Sequence, residues 1–267
     1  MKKYILSLLV LMFSAITYAA VSKTINLISA GTLSSLITIS EKSSITDLTV
    51  SGNIDATDFK CMRDEMTVLA NVDMTSVIIK AYSGNLGTYF DGIMSYPANE
   101  IPNGAFSPKY MDGIPKGKKS LISVKMPLST TSIGSIAFSN CSGLTGDLLI
   151  PNSVTIIKEG AFADCTGFNG TLTLSPVLTI IETSAFQNCN GLVGNLIIHE
   201  SVTSIGDLAF MFCSNITEVV IPKSIVSIGD NSFFGCSVIN KITVAKVNAP
   251  IISSSTFDGI AKNTCVV

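Results

Sequence analysis

The chain has 267 residues, a formal net charge of -2, one histidine and no tryptophan. Only 13% of its residues are charged while 47% are apolar, well below the usual quarter of charged residues. So small a charge excludes the concentrated basic face that nucleic acid requires. The polarity comes from Thr, Ser, Asn and Gly instead, as in a chain that turns often.

The first residues read as a targeting segment. Lys2 and Lys3 precede an apolar run from Ile5 to Ile16, broken only by Ser7 and Ser14, and Thr17-Tyr18-Ala19 supplies the small residues of a cleavage site. Residues 1–19 are therefore expected to be a secretory signal peptide. A retained anchor is the alternative, but the run is short of the about 20 residues of a span. No later segment reads as a transmembrane span, so the mature chain is expected to be exported, to the cell surface, the exterior or the periplasm.

Residues 20–98 carry strand and helix signals. Lys23 to Ile28 reads as a strand, Leu33 to Ile37 as helical, and Ile45 to Val50 as an alternating, half-buried strand ended by Ser51-Gly52-Asn53. Asp55 is placed to cap a helix from Ala56 to about Leu69, with Phe59, Met62 and Met66 on one face. Met74 to Ile79 follows as a strand. Such a succession suits an atypical terminal cap of a repeat protein, with a separate domain as the alternative.

From residue 99 to 260 the chain repeats. Phe138, Phe162, Phe186, Phe210, Phe233 and Phe257 follow one another at steps of 24, 24, 24, 23 and 24 residues, and Phe106 opens the series. A fixed period in this range indicates a solenoid. Each coil holds an apolar pair spaced i, i+2, from Val124 and Met126 to Ile242 and Val244, whose side chains point the same way from an extended chain. Pro127, Pro151 and Pro222 close that strand. A second apolar row, Ile133, Ile157, Ile181, Ile205, Ile228 and Ile252, is expected to face the same core, and Ala-Phe-x-x-Cys to form one 3₁₀ or α-helical turn. Between Phe106 and Phe138 the chain is eight residues too long. The excess is assigned to a surface loop at 107–120 carrying Lys109, Lys116, Lys118 and Lys119, either solvated or binding. Residues 261–267 form a short tail, which can close the stack only if Cys265 to Val267 adds a strand.

Seven cysteines are present. Five of them, Cys141, Cys165, Cys189, Cys213 and Cys236, share one repeat position, where parallel Cβ vectors oppose disulfide geometry and no Cys-x₂₋₄-Cys pair offers a zinc site. Buried free thiols are expected. His199 stands where other coils have proline, which implies no chemistry. Glu159, Asp207 and Asp230 recur at one position and read as a solvated face. No nucleophile, base and orienting group recur together, so neither an enzyme nor a cofactor is expected.

The consensus Ile-Pro-x-Ser-Val-Thr-x-Ile-x-x-x-Ala-Phe-x-x-Cys-x-x-Leu, cleanest over Ile150 to Phe168 and Ser201 to Ile216, resembles the BspA-type leucine-rich repeat of bacterial surface proteins. The resemblance covers about 99 to 260. It implies a leucine-rich-repeat solenoid of short parallel strands with short helical or 3₁₀ turns, about 24 residues per coil, behind a more helical N-terminal cap. It further implies adhesion to a host or partner protein or glycan, with a ligand-free structural scaffold as the alternative, and it carries no catalytic residue. Recognition then falls to positions that vary between coils. The outward strand positions are Lys125, Leu149, Thr173, Ile197, Val220 and Thr243, so Leu149, Ile197 and Val220 form a candidate apolar contact strip beside the lysine loop.

Overall fold

The computed structural model describes residues 19–89, 92–107, 116–244, 250–260 and 265–266. Residues 1–18, and with them most of the expected signal peptide, lie outside this set, as does Lys109. The chain forms a β-solenoid of about nine turns with parallel strands about 24 residues apart and few helices.

Each coil contributes to three stacked rows. The front row begins with Ser22–Leu27, Asp47–Ile54, Asn71–Ile79 and Ser123–Lys125, hydrogen-bonded in that order as one parallel sheet. Leu148–Leu149 and Leu172–Thr173 pair next, followed by Gly194–Ile197, Ile216–Ile221, Lys241–Val244 and Cys265–Val266. Lys241 is in register with Cys265, so the closing strand foreseen for the tail is present. The side row runs from Glu100–Ile101 through Ser132–Ile133 and its repeats to Ser227–Ile228 as a six-stranded sheet. Both rows bury their alternating apolar residues in one core. Ile252 is the exception to the second apolar row: it is 48% exposed.

The third row is the Phe turn. It is not a helix. Ala137, Ser139 and Cys141 donate to carbonyls three residues back, while Ile136, Phe138 and Asn140 donate to Glu159, Ala161 and Ala163 of the next coil. Half of the amides thus close successive β-turns and the other half form an intercoil ladder, so nearly every buried donor is used. That alternation needs left-handed residues two positions before and after the Phe, and they occur: Ile136 (φ 49°) and Asn140 (φ 58°), Ser184 (55°) and Asn188 (57°), Leu208 and Phe212 (both 59°). A helix has no such positions. Gly160 (φ 59°) takes this conformation freely where the preceding coil forces it on Ile136.

The ladder brings the rings into register. Phe106, Phe138, Phe162, Phe186, Phe210, Phe233 and Phe257 form one column with centroid spacings of 5.1–5.5 Å and interplanar angles of 3–18°, within the stacking range of aromatic pairs. Phe59 meets Phe106 edge-on at 6.0 Å, so the column begins in the N-terminal segment. The cysteines have a second role besides filling space. Each thiol of Cys165, Cys189, Cys213 and Cys236 donates to the Phe carbonyl of the preceding coil at 3.1–3.2 Å. Cys61, Cys141, Cys165, Cys189, Cys213 and Cys236 are free and buried.

The N-terminal segment differs from expectation in three ways. Its second strand does not stop at Ser51-Gly52-Asn53 but runs on to Ile54. Asp55 caps the helix through Thr57 N–H as expected, but the helix is short: Ala56–Lys60 is α-helical and Cys61–Glu65 a π turn. Buried Asp58 binds the amides of Gly31, Leu33 and Asp55 at 2.6–2.9 Å and thereby ties the first two coils together. The third difference is an insertion. An antiparallel hairpin, Tyr82–Gly84 with Met94–Tyr96, interrupts the coil between its front strand Asn71–Ile79 and its side strand Glu100–Ile101. The buried Arg63 guanidinium anchors this excursion by donating to the carbonyls of Thr88 and Gly104, both at 2.7 Å.

Candidate functional interface

Strand geometry places residues two apart on one face, so the front sheet presents two outward rows. The first contains Lys125, Leu149, Thr173, Ile197, Val220 and Thr243. Leu149 pairs with Thr173, Ile197 with Val220, and Val220 with Thr243. Leu149 is 63% exposed and Ile197 54%, whereas Val220 is half-buried. The exposed apolar row is interrupted: Thr173 separates Leu149 from the Ile197–Val220 pair. Lys125 at its start is held by Asp73 at 2.9 Å.

The second row was not singled out from the sequence. Asp147, Thr171, Asn195, Glu218 and Lys241 stand beside the apolar row and are joined laterally. Thr171 donates its N–H (2.6 Å) and Oγ1 (3.0 Å) to Asp147 Oδ1. Asn195 Nδ2 donates to Glu218 Oε2 at 3.2 Å, and Lys241 lies 3.9 Å from the same carboxylate oxygen. Thr171 holds the Asp147 carboxyl below the ordinary carboxylate range. In the sequence these positions share no residue type, which hid them from a search for repeats.

The lysine group does not act together. Lys116 and Lys119 are exposed in the segment leading into Ser123–Lys125, at the corner between the Phe turn and the front sheet. Lys118 is only 9% exposed and is removed from the candidate surface. Its Nζ donates to the carbonyls of Met66 (2.6 Å) and Arg63 (3.2 Å) at the end of the Ala56–Glu65 helical stretch, where a cation is favoured. Burial pulls its pKa down to about 8. The short spacing between Lys116, Lys118 and Lys119 suggested one basic patch. In the fold the 117–120 segment is packed down instead, with Lys118 N–H donating to Phe106 O and Ser120 Oγ to Leu69 O.

The remaining polar positions serve the coils. His199 O accepts from Val202 N–H as Pro151 O does from Val154. Asp207 Oδ1 accepts from Asp230 N–H at 2.8 Å, and Glu182 Oε2 from Glu159 N–H at 2.9 Å. Among the described residues no group of three His, Cys, Asp or Glu could hold a metal ion, and no helix is long and apolar enough to cross a membrane.

Residues 116–165 and 131–264 match, in six copies, the family model described as BspA type leucine-rich repeat region. Among solved structures, a leucine-rich repeat protein of T. pallidum is 25% identical, with 58% of this chain and 79% of that one covered and a TM-score of 0.43. A leucine-rich cell surface protein from Faecalibacterium prausnitzii is 27% identical over 59% of this chain and 45% of its own, with a TM-score of 0.42. A leucine-rich repeat protein from Bacteroides ovatus is 19% identical over 76% and 56%, with a TM-score of 0.40. This chain thus spans about half the length of the latter two. No curated protein matches it.

Proposed function

The chain belongs to the BspA-type leucine-rich-repeat family, and from that premise we propose that it is an exported, cell-surface binding module that captures a protein or glycan through its front sheet. One observation carries the reading: Leu149 and Ile197 are exposed on strands whose inward neighbours Leu148, Leu196 and Ile198 are buried. Neither side chain contributes to the core, and an apolar strip flanked by a polar, hydrogen-bonded row matches the core-and-rim composition of protein interfaces. The exposed Lys116 and Lys119 at the corner add positive charge, which favours a partner carrying acidic groups near them.

The test is a binding screen of the purified protein against immobilised extracellular proteins and glycans. L149T/I197T should weaken capture by about tenfold or more, the equivalent of burying one large apolar side chain. A K109A/K116A/K119A variant should lower the association rate and its salt dependence. Capture unchanged in both variants, or no capture by the wild type, would sink the proposal.

A further inference from the structure

The front sheet has a seam. Ser123–Lys125 is bonded to Asn71–Ile79 on one side and Leu148–Leu149 to Leu172–Thr173 on the other, but no ladder joins the two pairs. The seam is closed at both ends. Thr145 N–H donates to Ile122 O at 3.0 Å, and Ser153 Oγ donates to Leu128 O at 2.7 Å. Between these closures lies a cleft of about 440 Å³, within the roughly 300–1,000 Å³ typical of ligand sites.

Its chemistry changes with depth. The buried rings of Phe138, Phe162 and Phe168 line it, together with Leu148 and Ile150. Phe168 stands where other coils have Leu121, Leu144 and Leu192, so the wall is aromatic here alone in that row. Nearer the surface, the facing edges of the two strands have no strand partner across the seam. At the mouth stand exposed Leu149, Lys125 and Asp147. Lys125 is neutralised by Asp73. The Asp147 carboxylate is hydrogen-bonded by Thr171 and has no cationic partner among the described residues, so the mouth carries one uncompensated negative charge.

We infer that this cleft is an anchor pocket for one bulky apolar side chain, aromatic or branched aliphatic, presented by a partner polypeptide with a basic residue beside it. The inference rests on the front-sheet reading above and names the class of partner. A polypeptide fits better than a free apolar molecule because the strand edges along the seam match amide groups. The mouth also opens at Leu149, the first apolar member of the exposed row. The side chain fills the apolar depth, its backbone meets the strand edges, and the neighbouring cation meets Asp147.

The experiment is methyl NMR on the purified protein with four probes: N-acetyl-Lys-Phe-amide, N-acetyl-Glu-Phe-amide, N-acetyl-Lys-Ala-amide and toluene. The Lys-Phe probe should shift the methyls of Met126, Leu148 and Ile150, and the Lys-Ala probe should bind at least about tenfold more weakly. D147N, which keeps the oxygen that accepts from Thr171, should abolish the preference for Lys-Phe over Glu-Phe. V124F, which places a ring in the cleft from a half-buried position, should block both Phe probes. If V124F does not fold, the D147N comparison decides. No shift with any probe, shifts with toluene alone, or Lys-Phe binding unchanged in V124F overturns the inference. Partner capture that is lost in L149T/I197T but kept in V124F would remove the pocket and leave the front-sheet reading standing.

Discussion

Phe186 sits in the middle of the ring column and offers the sharpest test of what holds the coils together. It is fully buried, stacked on Phe162 at 5.5 Å and on Phe210 at 5.2 Å. Its backbone bonds, from Phe186 N–H to Ala209 O and from Cys213 Sγ to Phe186 O, do not depend on the side chain, so truncation isolates the ring. Phe186→Ala should cost about 3–5 kcal/mol, since neighbouring coils held by three ladders cannot collapse into the void. Phe186→Leu keeps much of the apolar body and removes the faces, so it should reveal the stacking share of about 0.5–1.5 kcal/mol per pair. Phe257, half-buried with one stacked neighbour at 5.4 Å, should cost roughly half as much as Phe186 on truncation. Urea unfolding followed by far-UV circular dichroism is the assay, because the chain has no tryptophan. A loss below about 1 kcal/mol for Phe186→Ala, or equal losses at Phe186 and Phe257, would refute a stability built by nearest-neighbour stacking.

Burial pushes the Cys141, Cys189 and Cys236 thiols up to about 12 and raises those of Cys165 and Cys213 well above the ordinary thiol value. These five should be unreactive towards a thiol reagent at pH 8 until denaturant is added; fast labelling of the native protein would contradict the buried column. Because their folded pKa values exceed those of the unfolded chain, the unfolded state loses protons first, so stability should fall as pH rises from about 9 towards 12. Lys118 acts in the opposite sense. Its pKa of about 8 in the fold lies below the ordinary 10.5, so the unfolded state binds more protons between these values. The wild type should therefore gain stability relative to K118M as pH rises through that window, and a constant difference would count against the buried ammonium. If residues 1–19 are a signal peptide, mass spectrometry of protein recovered outside the cytoplasm should find Ala20 as the first residue, and an intact Met1 terminus there would contradict export by cleavage.

The regular coils were legible because their core positions repeat: the Phe spacing, the i, i+2 apolar pairs and the Cys column each recur at fixed register and pack into one core. The Phe turn was misread as helical because local sequence signals backbone compactness but not where the amides go. Ile136, Ser184 and Leu208 carry no sequence mark of a left-handed residue, and intercoil bonds impose that conformation on them. The hairpin at Tyr82–Tyr96 went unnoticed because Phe59, the ring below Phe106, lacks the Ala-Phe-x-x-Cys frame and so could not set the register across the insertion. Lys118 shows a different limit. Three lysines within four residues look like one patch in sequence, yet a single packed turn sends the middle one to the helix carbonyls.

The same logic separates stability from recognition. Every recurring position in a coil is occupied by stacking, so replacing one must disturb its neighbours above and below. The outward strand positions carry no such load: their row already accepts Lys125, Thr173 and Thr243 beside Leu149 and Ile197. Thr is a good strand former and stands in register next to Leu149, so L149T/I197T should leave the unfolding midpoint nearly unchanged, within about 0.5 kcal/mol per site. A loss of 2 kcal/mol or more, on the scale of about 1.5–3 kcal/mol for a buried side chain, would mean that the two residues are covered in solution and belong to the core after all. An unchanged midpoint together with lost partner capture would place their contribution in binding alone. Stability is then fixed by what repeats, and the outward rows remain free to differ without cost to the stack.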